Sequence, residues 1–200
     1  MAIIVDKAQK KKDIALACKE LLVHSSINDL TIAQIAKTAN IGKGTFYEYF
    51  SNKDELVFEL VNHLMHEHNT SKAERIEKST STREKIKVFY DFFYSEEASD
   101  LRTLYQEFIA IALISPKEEM IAFQTGCFTF YYQWVEKIID EGIAQNEIKP
   151  VTKELIKGMY TMGEGMFISS LATEGVIDLK NDINTYVDNI FDLVEVEDRK

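Results

Sequence analysis

The chain has 200 residues, of which 46% are hydrophobic, and it contains only two prolines and eight glycines. This length suits one large domain or a small domain joined to a larger one, and the scarcity of helix breakers favours long helices over short strands. No run of 18 or more apolar residues occurs, so we expect no transmembrane helix. The apolar run at residues 2–5 is too short for a signal peptide, and we therefore expect a cytoplasmic protein.

The net charge of −10 is distributed unevenly along the chain. Residues 1–53 carry eight lysines against five acidic residues, a net charge of +3. Residues 54–200 carry 15 basic and 28 acidic residues, a net charge of −13. Only the first segment can therefore approach a polyanion favourably, and the acidic remainder would orient that approach.

Apolar spacing predicts helix over nearly the whole chain, and no strand pair or internal repeat is evident. We therefore predict an all-α fold of about nine helices. The polar segment 69–82 is interpreted as the junction between an N-terminal head and the body. The first four predicted helices cover residues 7–24, 32–39, 43–50 and 54–77. A fifth begins after Ser81, and the last four cover residues 101–114, 116–145, 152–171 and 179–193.

The sharpest local signal lies at the second predicted helix. Thr31 and Gln34 have the spacing of a capping box, and Leu30 and Ile35 occupy the two positions of a hydrophobic staple. The sequence Asn-Ile-Gly at residues 40–42 then predicts a turn, since Asn and Gly tolerate left-handed backbone. Two short helices joined by a tight turn, in a basic segment, indicate a helix-turn-helix at residues 31–50.

The second of these helices has the composition that a recognition helix needs. Gly44 lets the backbone approach the bases, and Thr45 offers a hydroxyl and a methyl group to base edges. Lys43 supplies a positive charge, and the phenols of Tyr47 and Tyr49 can reach phosphate oxygens. Phe46 and Phe50, spaced i and i+4, should face the interior, and Glu48 is expected to point to solvent. The lysines at residues 10–12 are either a solvated helix start or an additional phosphate contact.

The sequence TIAQIAKTANIGKGTFYEYFSNKDELV at residues 31–57 resembles the signature of the tetracycline-repressor (TetR) family of bacterial regulators. The resemblance implies an all-helical homodimer that binds double-stranded DNA through a head at residues 1–53. A linking helix at 54–77 and the rest of the body, 54–200, would enclose a small-molecule pocket and pair with a second copy through the last two helices. It also implies two sets of DNA-binding residues: Lys43, Gly44 and Thr45 at bases or the adjacent backbone, and Thr31, Tyr47, Tyr49 and Lys53 at phosphates. Tyr49 stands where many members of the family have histidine.

The body is rich in aromatic and methionine side chains, which are either simple core or the lining of a pocket for a bulky apolar ligand. Glu107 and Glu164 lie within apolar helices and could select a cationic ligand or sit at the surface. His63, His66 and Glu67 share one helical face and could hold a metal, although a polar face is the simpler interpretation. The candidate ligand-binding residues are His63, Phe93, Tyr105, Phe108, Phe130, Trp134, Met159 and Met162.

No catalytic motif or cofactor-binding motif occurs, and Cys18 and Cys127 lack metal-ligand spacing, so we expect neither an enzyme nor a cofactor. The leading hypothesis is a repressor that a small, apolar or amphipathic ligand releases from its operator. A DNA-binding protein that acts through a protein partner, without a ligand pocket, is an alternative. A helical enzyme or carrier with an incidental head is the third.

Overall fold

The computed structural model describes residues 6–197 and builds them almost entirely from helices. Within this range the only β-structure is one isolated bridge between Ile148 and Glu195, which agrees with the predicted all-α class. The apolar run at residues 2–5 lies outside the described range. The ten α-helices are α1 (Lys7–Ala17), α2 (Lys19–Val23), α3 (Ile32–Thr38), α4 (Lys43–Tyr49), α5 (Lys53–Lys78), α6 (Thr82–Tyr90), α7 (Ser99–Ile114), α8 (Glu118–Ala144), α9 (Ile156–Ala172) and α10 (Leu179–Val194). Three 3-10 turns, at Asp91–Phe93, Glu96–Ala98 and Pro150–Leu155, complete the described secondary structure.

Several predicted boundaries differ in the structure. The helix expected from residue 152, for example, begins at Ile156, after the 3-10 turn Pro150–Leu155. The helix expected over residues 7–24 is divided at Cys18, where the backbone N–H donates to Ala15 at 3.1 Å and tightens the turn. The linking helix predicted over residues 54–77 is α5, Lys53–Lys78, so the polar segment 69–82 is helical over most of its length. The long helix α8 begins at Glu118 rather than at residue 116.

The first compact unit comprises the chain up to His68 together with Asp100–Met120. It holds α1 to α4, the first part of α5 and nearly all of α7. The ring of Phe58 on α5 meets the ring of Phe108 on α7 edge to face, with 5.9 Å between the centroids. The helices expected to form the head therefore belong to the same compact unit as parts of α5 and α7. The predicted functional boundary between residues 53 and 54 falls inside this unit and stays a prediction.

The second compact unit comprises Asn69–Ser99 and the chain from Ile121 onward. Helices α6, α9 and α10 pack together within it. The backbone of Gly163 on α9 lies against two rings, and a Cβ added there would come within 2.7 Å of Phe93 and 2.8 Å of Tyr90. The hydroxyl of Tyr90 also donates to the carbonyl of Met159. Close approach between α9 and the end of α6 thus depends on a glycine at this position.

A buried group of charges also lies in the second unit. The Lys72 ammonium, on a side chain only 2% exposed, donates to the carbonyl of Phe89 at 2.7 Å and lies 3.4 Å from the carboxylate of Asp91. Arg75 pairs with the same carboxylate. Burial lowers the pKa of Lys72 to about 8, because the charged form loses its hydration. These contacts fix the second part of α5 against the end of α6.

Among the described helices, none is both long enough and apolar enough to cross a membrane.

Candidate nucleic-acid interface

The start of α3 is fixed by the predicted capping box. The hydroxyl oxygen of Thr31 accepts from the backbone N–H of Gln34 at 3.3 Å, and the Gln34 side chain accepts from the backbone N–H of Thr31 at 2.9 Å. Two N–H groups that the first turn would leave without partners are thereby satisfied. Leu30 and Ile35, the two staple residues, are both buried. The prediction for this helix start is confirmed.

The turn between α3 and α4 uses one left-handed residue rather than two. Asn40 has a φ of 53°, and the next N–H, that of Ile41, donates to the carbonyl of Ala36 at 2.9 Å. Gly42 has an extended conformation with a φ of −74° and serves as the N-cap of α4. Only Asn40 therefore adopts the left-handed geometry expected of both residues.

The inner face of the helix-turn-helix is aromatic, as predicted. Phe46 and Phe50 are buried, with 5.5 Å between their ring centroids. Beside them, the thiol of the fully buried Cys18 donates to the carbonyl of Ile35 at 3.7 Å. Burial raises the pKa of Cys18 to about 11, so the thiol stays protonated at neutral pH and behaves as part of the core.

The outer face of α4 presents the residue types expected at base edges. Lys43 and Gly44 are exposed, and a side chain added at Gly44 would meet open space. Thr45 is partly exposed, and Tyr47 is 58% exposed although it is a large aromatic residue. Glu48 is exposed as well. This surface is compatible with close approach to a groove of double-stranded DNA.

Lys53 and Thr31, two of the residues expected to contact phosphates, form hydrogen bonds within the fold. Lys53 donates to the carbonyl oxygens of Asn28 at 2.7 Å and Leu30 at 3.0 Å, which leaves one of its three protons. Tyr49 is half-buried rather than fully exposed. Thr31 is exposed, but its hydroxyl takes part in the capping box. Contact of these three residues with DNA stays a prediction.

The lysine run at residues 10–12 is partly accounted for by packing. The Lys11 ammonium pairs with Glu55 on α5 at 2.5 Å and lies 5.2 Å from the centroid of the Phe50 ring. Glu55 also accepts from the backbone N–H of Ser51 at 2.7 Å. The Lys11 ammonium, followed by the Ser51 N–H, lowers the pKa of Glu55 below its ordinary value. Lys11 therefore joins α1 to the start of α5.

One exposed residue of α3 was not assigned a role from the sequence. Lys37 lies in the last turn of α3, three residues after Gln34, and both are exposed. The i, i+3 spacing places the two side chains on one helical face. This spacing can be read directly from the sequence.

The candidate ligand-binding residues are divided between the two units. His63, Tyr105 and Phe108 belong to the first unit, and the other five belong to the second. Their exposure also differs. Phe93, Phe108 and Met159 are buried, while His63, Tyr105, Trp134 and Met162 are half-buried. Phe130 is 50% exposed, so its interpretation as simple core is wrong.

The polar residues near these positions have specific partners. The imidazole Nε2 of His63 lies 3.0 Å from the Glu67 carboxylate. No cluster of three or more potential metal ligands occurs in residues 6–197. Glu107 on α7 is half-buried and accepts from Ser26 and Ile27, a contact that sequence patterns gave no means of finding. It lines an open polar groove that contains none of the candidate ligand-binding residues.

A basic helix-turn-helix that exposes Lys43, Gly44, Thr45 and Tyr47 at the start of an all-helical chain defines a DNA-binding protein of the regulator class. The family model for "Bacterial regulatory proteins, tetR family" matches residues 14–60. That segment contains the capping box, the turn and the recognition helix. The match and the geometry of this segment support a DNA-binding transcriptional regulator of the TetR family.

Individual relatives agree with this assignment. An uncharacterized HTH-type transcriptional regulator, YvdT, of Bacillus subtilis strain 168 is 26% identical over 186 residues, which are 89% of this chain and 93% of the relative. The fatty acid metabolism regulator protein of the same organism is 25% identical over 145 residues, 72% of this chain and 73% of the relative. These relatives are regulators, a class of protein that is not enzymatic.

Solved structures show that the fold extends beyond the matched segment. A TetR-family regulator from Cytophaga hutchinsonii has a TM-score of 0.78 at 12% identity, covering 94% of this chain and 96% of its own. A transcriptional regulator from Saccharomonospora viridis, solved in complex with choline, has a TM-score of 0.76 at 11% identity, covering 94% and 99%. At such identities the likeness concerns the fold alone.

Proposed function

We propose that the protein is a homodimeric repressor that leaves its operator when a small apolar or amphipathic molecule binds the body. The observation that carries the proposal is the outer face of α4. There a lysine, a glycine without a steric neighbour, a threonine and an exposed tyrosine occupy one short helix above a buried aromatic core. Base recognition requires these side chains to be exposed, whereas the packing of the fold does not.

The proposed contacts divide the interface into two classes. Lys43, Gly44 and Thr45 meet base edges or the adjacent backbone, and the hydroxyls of Tyr47 and Tyr49 donate to phosphates. The Thr31 hydroxyl, which donates to Gln34 at 2.7 Å, does so by exchanging that partner for a phosphate oxygen. Lys53 serves these contacts indirectly, because two of its protons bind the loop before α3. The base contacts give sequence preference, and the phosphate contacts give affinity that falls with salt.

The last two helices offer a surface for the second copy. On α9, Ile168 is 40% exposed and Leu171 is 56% exposed. Gly158 and Gly165 are exposed on the same helix, and a Cβ at either would meet open space. Leu193 on α10 is 70% exposed. Exposed aliphatic residues beside glycines suit close packing against the same helices of a partner, and a dimer would present two heads to a palindromic operator.

The second unit supplies the features expected of a site for a bulky ligand. The ring centroid of Phe89 lies between 6.1 and 6.3 Å from those of Tyr131, Trp134 and Tyr160. Such a concentration of aromatic rings favours apolar surface on the ligand. The name of one relative concerns fatty acid metabolism, and one structural neighbour holds choline. A fatty acid is an anion and choline is a cation, so the two names suggest two probes of opposite charge for a ligand site in the body of this chain.

An operator-release assay tests the proposal. DNA from upstream of the gene that encodes the chain would be bound by the full-length dimer and titrated with oleate, oleoyl-coenzyme A and choline. Release by the acyl compounds at concentrations below their micelle formation is expected, and release by choline alone would point to a cationic ligand instead. DNA binding that no probe alters, together with capture of a protein partner on the operator, would favour the alternative that acts without a ligand.

The dimer requires its own test. Ile168→Glu combined with Leu171→Glu should convert the dimer into a monomer in light scattering coupled to size exclusion. The exposed Val151→Glu, which lies outside α9 and α10, serves as the matched control and should leave the dimer intact. A dimer that persists in the double variant would place the interface elsewhere.

A further inference from the structure

The loop between α2 and α3 determines where the helix-turn-helix begins. It ends at Thr31, the N-cap of α3, and it is anchored in the core by Ile27 and Leu30, which are 1% and 5% exposed. Between these anchors Asn28 and Asp29 are exposed. A loop with so few apolar anchors needs polar contacts to keep a single conformation.

Those polar contacts come from α7. One carboxylate oxygen of Glu107 accepts from the hydroxyl of Ser26 at 3.2 Å and from the backbone N–H of Ile27 at 3.3 Å. Glu107 is half-buried, which strengthens a hydrogen bond to a charged acceptor relative to one in water. The residues are 80 positions or more apart in sequence, so the contact is a feature of the tertiary fold.

The same loop is held on its other side by α5. The Lys53 ammonium donates to the carbonyls of Asn28 and Leu30, so α5 binds loop acceptors while Glu107 binds loop donors. The two side chains thus fix the loop by groups of opposite charge on different helices. Release of either one would let the start of α3, and with it the direction of α4, vary.

We propose that Glu107 is a positioning residue for DNA binding, which holds the α2–α3 loop so that α4 is presented in one orientation. Base contacts demand placement within about 0.5 Å, a tolerance that a loose loop would exceed. Glu107 lies on a helix outside the segment that reads DNA. Its hydrogen bonds to Ser26 and Ile27 therefore join α7 directly to that segment, in addition to the continuous connection through α5. The inference rests on the DNA-reading role of α4.

Two variants separate the acceptor role of Glu107 from its charge. Glu107→Gln keeps one oxygen that can accept from both donors, whereas Glu107→Ala removes the acceptor. Gln106→Ala, a neighbour on α7 that lines the same groove, is the matched control. The probe is the duplex that the wild-type protein enriches from a random pool, with affinity measured by fluorescence anisotropy and loop order by hydrogen exchange at the Ile27 amide.

The expected result is that Glu107→Ala weakens binding about tenfold, the scale of a lost hydrogen bond to a charged group. Exchange at the Ile27 amide should accelerate by a similar factor, while amides of α10 keep their protection. Glu107→Gln, whose neutral oxygen accepts more weakly, should lose less affinity than Glu107→Ala, and Gln106→Ala should stay within about twofold of wild type.

Wild-type affinity and exchange in Glu107→Ala would overturn the proposal, as would a Glu107→Gln variant as impaired as Glu107→Ala. If the wild-type protein enriches no sequence, the DNA-reading role of α4 fails. Exchange at the Ile27 amide would in that case still report on the Glu107 contact, so the two failures are distinguishable.

Discussion

The Lys53 ammonium lies 2.7 Å from the carbonyl oxygen of Asn28, which joins the first residue of α5 to the loop that precedes α3. A second hydrogen bond, 3.0 Å long, reaches Leu30. The resemblance to the TetR family implied a phosphate contact for Lys53. The structure instead makes it part of the framework that positions α3 and α4.

Lys53→Ala should therefore destabilise the head. Loss of two hydrogen bonds from a partly exposed ammonium is expected to lower the free energy of unfolding by about 1–2 kcal/mol. Operator affinity should fall as well, while the slope of log affinity against log salt stays unchanged, because no phosphate contact is lost. Unchanged thermal stability, with a slope reduced by about 0.9, would show that Lys53 binds phosphate directly.

The outer face of α4 predicts two kinds of DNA-binding variant. Thr45→Ala should change the preferred base at one position by about 1–3 kcal/mol, because a base-edge contact carries sequence information. Tyr47→Phe should weaken binding to similar extents on all sequences, since the lost hydroxyl contacts phosphate. Anisotropy on a set of single-base operator variants measures both effects. If the two variants show the same pattern, the assignment of base and phosphate contacts is wrong.

Two glycines in the second unit should respond in opposite directions to alanine. At Gly163 the new Cβ would lie 2.7 Å from Phe93 and 2.8 Å from Tyr90, and we expect a loss of about 1–3 kcal/mol through overpacking. At Gly126, in the interior of α8, nothing lies within 4 Å, and alanine should stabilise by up to about 1 kcal/mol through helix propensity. Thermal unfolding monitored by circular dichroism compares the variants directly. A stabilising Gly163→Ala would contradict the close packing of α9.

The ion pair between Lys11 and Glu55 predicts a dependence of stability on pH. Because its folded-state pKa is lowered, Glu55 contributes stability that is present above its ordinary value of 4.5 and is lost as pH falls through the folded-state value. Glu55→Gln should thus lower the melting temperature at pH 7. The difference from wild type should shrink as the pH falls below 4.5 and should disappear below the folded-state pKa of Glu55. The exposed Glu48→Gln is the control and should match wild type across the range. A constant difference at all pH values would assign the effect to packing.

Local signals were sufficient to predict the helix-turn-helix. The capping box of Thr31 and Gln34, and the burial of Phe46 and Phe50, depend on residues that are three or four positions apart. Residues at these spacings lie on the same face of a helix, so their contacts can be predicted from helical periodicity alone. The break at Cys18 was missed because a tightened turn leaves the apolar spacing almost unchanged.

Contacts between distant segments could not be predicted in this way. The Glu107 carboxylate and the Ile27 N–H are 80 positions apart, and no periodic pattern relates them. Phe130 shows the same limit for burial, since its place in an apolar helix suggested core while its ring is 50% exposed. Which side of a long helix is covered depends on where the other helices pack, and that information is tertiary.

The central claim is that the exposed face of α4 reads a specific DNA sequence, and selection from a random duplex pool tests it most directly. The full-length protein should enrich an inverted repeat, with affinity that falls steeply as salt rises. Thr45→Ala should enrich a different base within each half-site. Enrichment of no sequence by the wild-type protein, or an identical preferred sequence in Thr45→Ala, would contradict the account.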